Sequence, residues 1–350
     1  MTINEKLFQE QCRPRFGDAN PERMQVAFWE WMIRGGASAV EPNLAARDES
    51  SLFSDLGAKD GIGSWPWDAR RFFKMESSPC DGPIWTFQRY GATRTELPDG
   101  RVVCIGGEHE DFYDPDFHIY NDVVVFGLDK QIEILGYPKE VFPPTDFHTA
   151  TLLGNKIVII GSLGYRAERT PGFTPVFALD LDDYSISRLM TSGEAPGWIS
   201  EHEALTKAEG VIPVRGGRLI EERSGEQRYA RNFDDYELDV SSGIWSKITR
   251  RNWQHFSIRQ KDKQMFVLER DLGPKNLIPS SMINTKPEDE TRNQARIVIK
   301  GVSVLLVCGV SEIEIIVEGE LQNEVAKQVV EQIRVNAEAA IKRPCVAEQL

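Results

Sequence analysis

One pattern recurs three times along this chain and limits what it can fold into more than any other feature. A strand rich in branched apolar residues ends in glycine at residues 101–107 (RVVCIGG), 156–162 (KIVIIGS) and 210–217 (GVIPVRGG). Gly106, Gly161 and Gly216 stand 55 residues apart. Self-similarity at a fixed period marks a chain built from copies of one supersecondary unit, none of which can bury its apolar face alone. Before each copy lies a strand with its turn: 92–97 then Pro98-Asp99-Gly100, 148–153 then Gly154-Asn155, and 202–207. After each comes a long polar loop and two further strands: 122–128 with 132–136, 176–181 with 185–190, and 233–240 with 244–248. Val125 to Ile132, Leu179 to Ile186 and Leu238 to Trp245 each span seven residues.

Four short strands per unit, with glycine after the second, is the layout of a propeller blade. The second strand is nearly continuous in apolar residues, so both of its faces must be covered, as those of an inner blade strand are by neighbouring blades. The glycines let the backbone turn sharply where the centre is crowded. In these strand–glycine motifs and the later spaced pair the chain resembles the kelch-repeat family, over about 170 residues. It departs from the family at the spaced pair, where kelch repeats carry Tyr then Trp and only Trp245 matches. Three repeats are clear, whereas kelch propellers close with five to seven.

The fold expected is mainly β: a kelch-like β-propeller, small or incomplete, with a helical N-terminal segment and a C-terminal α+β subdomain. The corresponding domains are residues 1–82, 83–256 and 257–350. A degraded fourth blade is expected from 255–259 and 264–269, closed by 83–88. In the N-terminal segment, Asn20-Pro21-Glu22 reads as a helix start, with Met24, Ala27, Phe28, Trp31 and Met32 at helical spacing and Gly35-Gly36 as the stop. Its aromatics are expected to pack against the repeats. In the C-terminal part, 295–299 and 302–308 read as a hairpin about Gly301, and 312–317 as a third strand with one wet face. Val325, Val329, Ile333, Ala337 and Ile341 form a helical stripe ended by Pro344. Both hairpin and stripe need a core, which the repeats are expected to supply.

A net charge of −13 argues against a nucleic-acid partner, whose binders carry a basic footprint, and permits a basic protein partner. Five scattered cysteines without a C-x-x-C pair make neither a disulfide framework nor a zinc site. The start of the chain does not read as a signal peptide, and no apolar stretch approaches the ~20 residues that span a bilayer. A cytoplasmic protein without a membrane partner is expected. Phosphate-binding glycine loops, a nucleophile elbow and H-E-x-x-H are all missing from the sequence, and no cofactor is expected.

The loop after the first Gly-Gly is the most unusual segment. Between Glu108 and His118 it holds five carboxylates and two imidazoles in eleven residues. Such oxygen and nitrogen ligands suit a divalent metal, and two of the acids suit a general acid/base pair. An exposed acidic loop stiffened by Pro115 accounts for the same residues, and no metal site is assigned. The matching loops carry Tyr165, Arg166 and Arg169 in the second repeat, and Arg228 and Tyr229 in the third. Blade geometry places all three loops on one face, where Arg and Tyr commonly carry interface energy. The candidate binding residues are Glu108, His109, Asp111, Tyr113, Asp116, His118, Tyr165, Arg166, Arg169, Arg228 and Tyr229. Two functions remain open: a non-catalytic protein-recognition protein, for example of inhibitor or immunity type, and a kelch-propeller enzyme acting on a sugar or small acid. A concave pocket drawing together Glu108, His109, Asp116 and His118 favours the enzyme, and a flat loop face favours recognition.

Overall fold

A computed structural model describes residues 3–35, 66–75, 82–109, 116–128, 131–206, 210–223, 225–262, 273–278, 291 and 293–350. The chain forms two compact units, Met1–Ile248 and Thr249–Leu350. The protein is mainly β, and its sheets are built almost wholly from antiparallel pairs.

In the first unit each repeat makes one four-stranded antiparallel sheet in chain order. Repeat one contributes β2 (Thr93–Glu96), β3 (Val102–Ile105), β6 (Val123–Phe126) and β7 (Ile132–Gly136), with β1 (Glu22–Arg23) added at the β7 edge. Repeat two contributes β8 (Thr149–Leu153), β9 (Lys156–Ile160), β10 (Val176–Asp180) and β11 (Ile186–Arg188). Repeat three contributes β14 (Glu203–Ala204), β15 (Val211–Arg215), β18 (Tyr236–Asp239) and β19 (Ile244–Lys247), with β12 (Ser192–Gly193) parallel to β19. Two loops fold further. In repeat one β4 (Glu108–His109) pairs with β5 (His118–Ile119); in repeat three β16 (Arg218–Arg223) pairs with β17 (Glu226–Arg231), flanked by β13 (Trp198–Ser200).

The continuous apolar strands are explained by layers. Val103, Ile105 and Val125 of the first sheet meet Ile157, Ile159 and Leu179 of the second. Val158, Ile160 and Val176, on the second sheet's other face, meet Ile212, Val214, Leu238 and Trp245 of the third. Strands covered on both faces have no polar side to show, which is why the period-2 signal is lost in them. The first sheet's outer face, with Val124 and Ile134, is covered by the N-terminal segment: α1 (Glu5–Gln11), α2 (Ala27–Ile33) and α3 (Pro66–Phe72). Trp29 stacks on Trp85 at 4.9 Å, and both are fully buried. The N-terminal aromatics therefore share a core with the first sheet.

Two local readings are corrected. The helix expected from Pro21 begins at Ala27, because Asn20 is used elsewhere: its side-chain amide donates to the Ile186 carbonyl and accepts from the Ile186 N–H, both at 2.8 Å. The 255–259 stretch, expected in a fourth blade, lies in β20 (Gln254–Gln260) of the second unit, paired with β23 (Ile313–Glu318) and β24 (Cys345–Gln349). Residues 264–269 lie outside the described residues.

The second unit is α+β. Its sheet runs β21 (Gln294–Ile299), β22 (Val302–Cys308), β23, β20, β24. The short helix α4 (Pro274–Leu277) and the long helix α5 (Asn323–Ile341) pack on it. The stripe Val325, Val329, Ile333, Ala337 and Ile341 shares one core with Ile297, Val304 and Leu306, so hairpin and helix cover each other rather than needing the repeats. The expected wet face of 312–317 is also covered: Ile316 is 2% exposed, and Glu314 is 8% exposed with His255 Nε2 3.3 Å away. Among the described residues no helix is long and apolar enough to cross a membrane.

Candidate functional site

A cavity of about 760 Å³ lies among the loops of the first unit, and every repeat supplies part of its wall. Repeat one gives Glu108 and His109 from β4 and Phe117 and Ile119 from the returning arm. Repeat two gives the segment from Leu163 to Arg166, with Arg169. Repeat three gives Ile220, Gln227, Arg228 and Tyr229 from the β16–β17 hairpin. The residues just before β2 and β8, Tyr90, Asp146 and Phe147, complete it.

The walls are tied to one another. The Ile119 N–H donates to the Tyr165 hydroxyl at 2.9 Å, and the Phe117 ring meets the Tyr165 ring edge-on at 5.7 Å. Gln227 donates to the Arg166 carbonyl at 3.1 Å. Arg169 donates from Nε to the Leu163 and Gly164 carbonyls at 2.9 and 3.1 Å, and reaches the Tyr229 hydroxyl at 3.4 Å. Loops cross-linked in this way hold a preformed cavity, the usual form of a ligand site.

At the floor sits Asp146, with 0% exposure. Its Oδ1 accepts from the Ser162 hydroxyl at 3.1 Å and from the Gly164 N–H at 2.6 Å. Its Oδ2 accepts from no amide, hydroxyl or guanidinium donor among the described residues, and the Glu108 carboxyl is close enough to share a hydrogen bond with Asp146. Burial pushes the Asp146 carboxyl above the usual carboxylate range, against the bonds from Gly164, Ser162 and Glu108 and the more distant charge of Arg169. Burial likewise holds the Tyr165 phenol above its ordinary value, with the Glu168, Asp146 and Glu108 carboxylates adding to the effect. Two carboxyls beside a phenol can hold and pass a proton, or can enclose a cationic group.

Of the residues singled out from sequence, the cavity gathers Glu108, His109, Tyr165, Arg166, Arg169, Arg228 and Tyr229. It does not gather Asp116, which is 2.8 Å from Arg70 of α3, or His118, which stands against Tyr120 at 4.7 Å. Burial lowers His118 to about 4. Asp111 and Tyr113 lie outside the described residues. Among the described residues no group of three His, Cys, Asp or Glu side chains is placed to hold a metal ion. His148 and His202 do not line the cavity; each bonds a threonine of the preceding repeat.

Asp146, Phe147 and Tyr90 were not singled out from sequence. A signal for them exists, because Tyr90, Asp146 and Ser200 hold one position in the three repeats. The second residue after each first glycine bonds back to that position: Glu108 N–H to Tyr90, Leu163 N–H to Asp146, and Arg218 in register with Ser200. No protein-family profile matches the chain, and no curated protein matches its sequence.

Proposed function

We propose that the first unit is an incomplete, kelch-like propeller whose loop cavity receives a projecting part of a protein partner. The propeller reading is supported by three sheets of one strand order stacked face to face, with innermost strands β2, β8 and β14 adjacent in turn. The recognition reading is carried by one observation: loops from all three repeats converge on a single cavity rimmed by Arg166, Arg228 and Tyr229. Arg and Tyr in such positions are the residue types that anchor interfaces. Capture of partners from the native cell by the full chain, compared with a Tyr165→Ala/Arg166→Ala/Arg228→Ala variant of equal melting temperature, tests it. The expected result is a partner retained by the unaltered chain and lost by at least about tenfold in the variant, as for loss of a true anchor. Equal retention by both places recognition elsewhere.

A second reading is favoured by the concave floor. Glu108 and Asp146 together resemble an acid/base pair, which suits an enzyme acting on a sugar or small acid. That reading moves ahead if nothing is retained by either form and a small substrate is turned over by the unaltered chain but not by Asp146→Asn.

A further inference from the structure

The wall of the cavity differs in charge from the chain as a whole. Three arginines line it, Arg166, Arg169 and Arg228, against two carboxyls, Glu108 and Asp146, although the chain carries a net charge of −13. Arg228 is paired with Glu226 at 2.9 Å. The Glu108 and Asp146 carboxyls are close enough to share a hydrogen bond. Two carboxyls do so only with a proton between them, so together they bring one negative charge. Glu168, the acid of the second-repeat loop, is ion-paired with Lys139. Arg166 and Arg169 are left over: Arg166 is exposed, and neither makes an ion pair among the described residues. Arg169 is also held still. Its Nε donates to the Leu163 and Gly164 carbonyls and its Nη2 to the Gly164 carbonyl at 3.0 Å. Carbonyl dipoles fix its direction without cancelling its charge. Tyr229, 40% exposed, stands with its hydroxyl 3.4 Å from Arg169 Nη1 and adds an O–H donor beside the guanidinium.

We infer that Arg166 and Arg169, with the Tyr229 hydroxyl, bind a carboxylate group that enters the cavity: the tip of an acidic side chain of the partner. A carboxylate accepts two N–H bonds from one guanidinium fork. Its single charge also matches the wall, where the acids already present leave a small positive surplus and a dianion would meet the Glu108–Asp146 charge. Net charge alone points to a basic partner, yet a basic tip is repelled by Arg166 at the rim. The local surplus, and not the chain's overall acidity, sets the sign of the inserted group.

This inference rests on the recognition reading, and the test separates the two. The full chain, labelled with ¹⁵N, is titrated at constant ionic strength with N-acetyl-glutamate α-amide and its neutral isostere N-acetyl-glutamine α-amide. Glucuronate and inorganic phosphate are titrated in parallel, and the set is repeated on Arg166→Gln and Arg169→Gln. Saturable binding of the glutamate probe is expected, with shifts at the Arg166 and Arg169 Nε–H signals. It should weaken at least about tenfold on the glutamine exchange and in Arg166→Gln, the scale of one lost charged hydrogen bond. The Arg166 side chain holds no other group among the described residues, so should Arg169→Gln fail to fold, Arg166→Gln and the probe pair still decide. Equal affinity for the two probes, unchanged binding in Arg166→Gln, no saturable binding of a carboxylate, or tighter binding of phosphate overturns the inference. Glucuronate bound at least about tenfold more tightly than the glutamate probe upholds the carboxylate site and moves its source to a small acid. A captured partner held equally by the unaltered chain and by Arg166→Gln overturns the carboxylate site and leaves protein recognition standing. Discriminating glutamate binding with no captured partner upholds the carboxylate site and removes the protein-recognition reading.

Discussion

Thr93 Oγ1 is hydrogen-bonded to His148 Nε2 at 2.8 Å, and the same bond recurs one repeat later between Thr149 Oγ1 and His202 Nε2 at 2.9 Å. A backbone ladder runs beside these bonds: the Phe147 N–H donates to the Gly91 carbonyl at 2.8 Å, and the Glu201 N–H to the Phe147 carbonyl at 2.9 Å. The pairing exists only where two sheets meet. In the first repeat Ala92 holds the histidine position, and in the third Glu203 holds the threonine position. Thr93→Val should therefore leave a nearly fully buried imidazole without its partner and cost about 1–3 kcal/mol, measured by denaturant unfolding. Glu203→Gln, at an exposed position, should change stability by less than about 0.5 kcal/mol.

The glycines at the strand ends make a sharper test of the same order. Gly106 and Gly161 have φ of +58° and +73°, and a Cβ on them would lie 2.1 Å from the Thr145 carbonyl oxygen and 2.3 Å from that of Ile199. In both, the obstructing backbone belongs to the approach to the next repeat. Gly216 has φ of +60° but nothing within 4 Å of its Cβ position. Gly216→Ala should thus cost only the left-handed strain, roughly 1–2 kcal/mol. Gly106→Ala and Gly161→Ala add a collision with main chain that cannot move without separating sheets. They should give markedly lower melting temperatures than Gly216→Ala, and equal loss in all three would refute this stacking.

Stability should fall as the solution is acidified below neutrality. Burial depresses His148 to about 3, and His202 and His118 to about 4, whereas an unfolded histidine titrates near about 6.5. The unfolded chain then binds protons that the folded chain refuses. The histidine contribution is complete above about 6.5 and is lost progressively down to the folded values, at up to about 1.4 kcal/mol per pH unit for each residue. Asp146, raised by burial, opposes the trend. Comparing the unfolding free energy at pH 7 and pH 5 with that of a His148→Gln/His202→Gln variant cancels the carboxylate effects. The variant should show a clearly shallower dependence.

Much of this architecture is legible in the sequence, because glycine placement and strand spacing are local and repeat. What escapes is set by distant partners. The 254–260 strand has the pattern of a blade strand, but its neighbours lie at 313–318 and 345–349, beyond the reach of any local rule. Asn20 has the chemistry of a helix cap and is instead held by Ile186. In the acidic loop, composition marked the right segment without separating its members. The alternation of an extended arm does that: Phe117 and Ile119 line the cavity, while His118 between them stands against Tyr120.

Beside Tyr90 in the chain, Arg89 forms a buried pair with Asp122, with side chains 3% and 6% exposed. Arg89 Nη2 donates to Asp122 Oδ2 at 3.0 Å, and Nη1 to Oδ1 and, at 3.1 Å, to the Gly106 carbonyl. Trp85 Nε1 donates to the same carboxylate at 2.8 Å, and the guanidinium lies over the Tyr120 ring at 3.4 Å. The network joins the N-terminal cap to the turn at the end of β3 and fixes the residue before Tyr90 of the cavity wall. Removing one member strands the other charge in a low-dielectric core. Asp122→Ala should cost about 3–5 kcal/mol, while the double change Arg89→Met/Asp122→Leu, which removes both charges, should cost far less. Equilibrium unfolding of the two variants decides it: if the double variant is as unstable as Asp122→Ala, it is the packing of these side chains rather than their charge pairing that holds the first sheet to its cap.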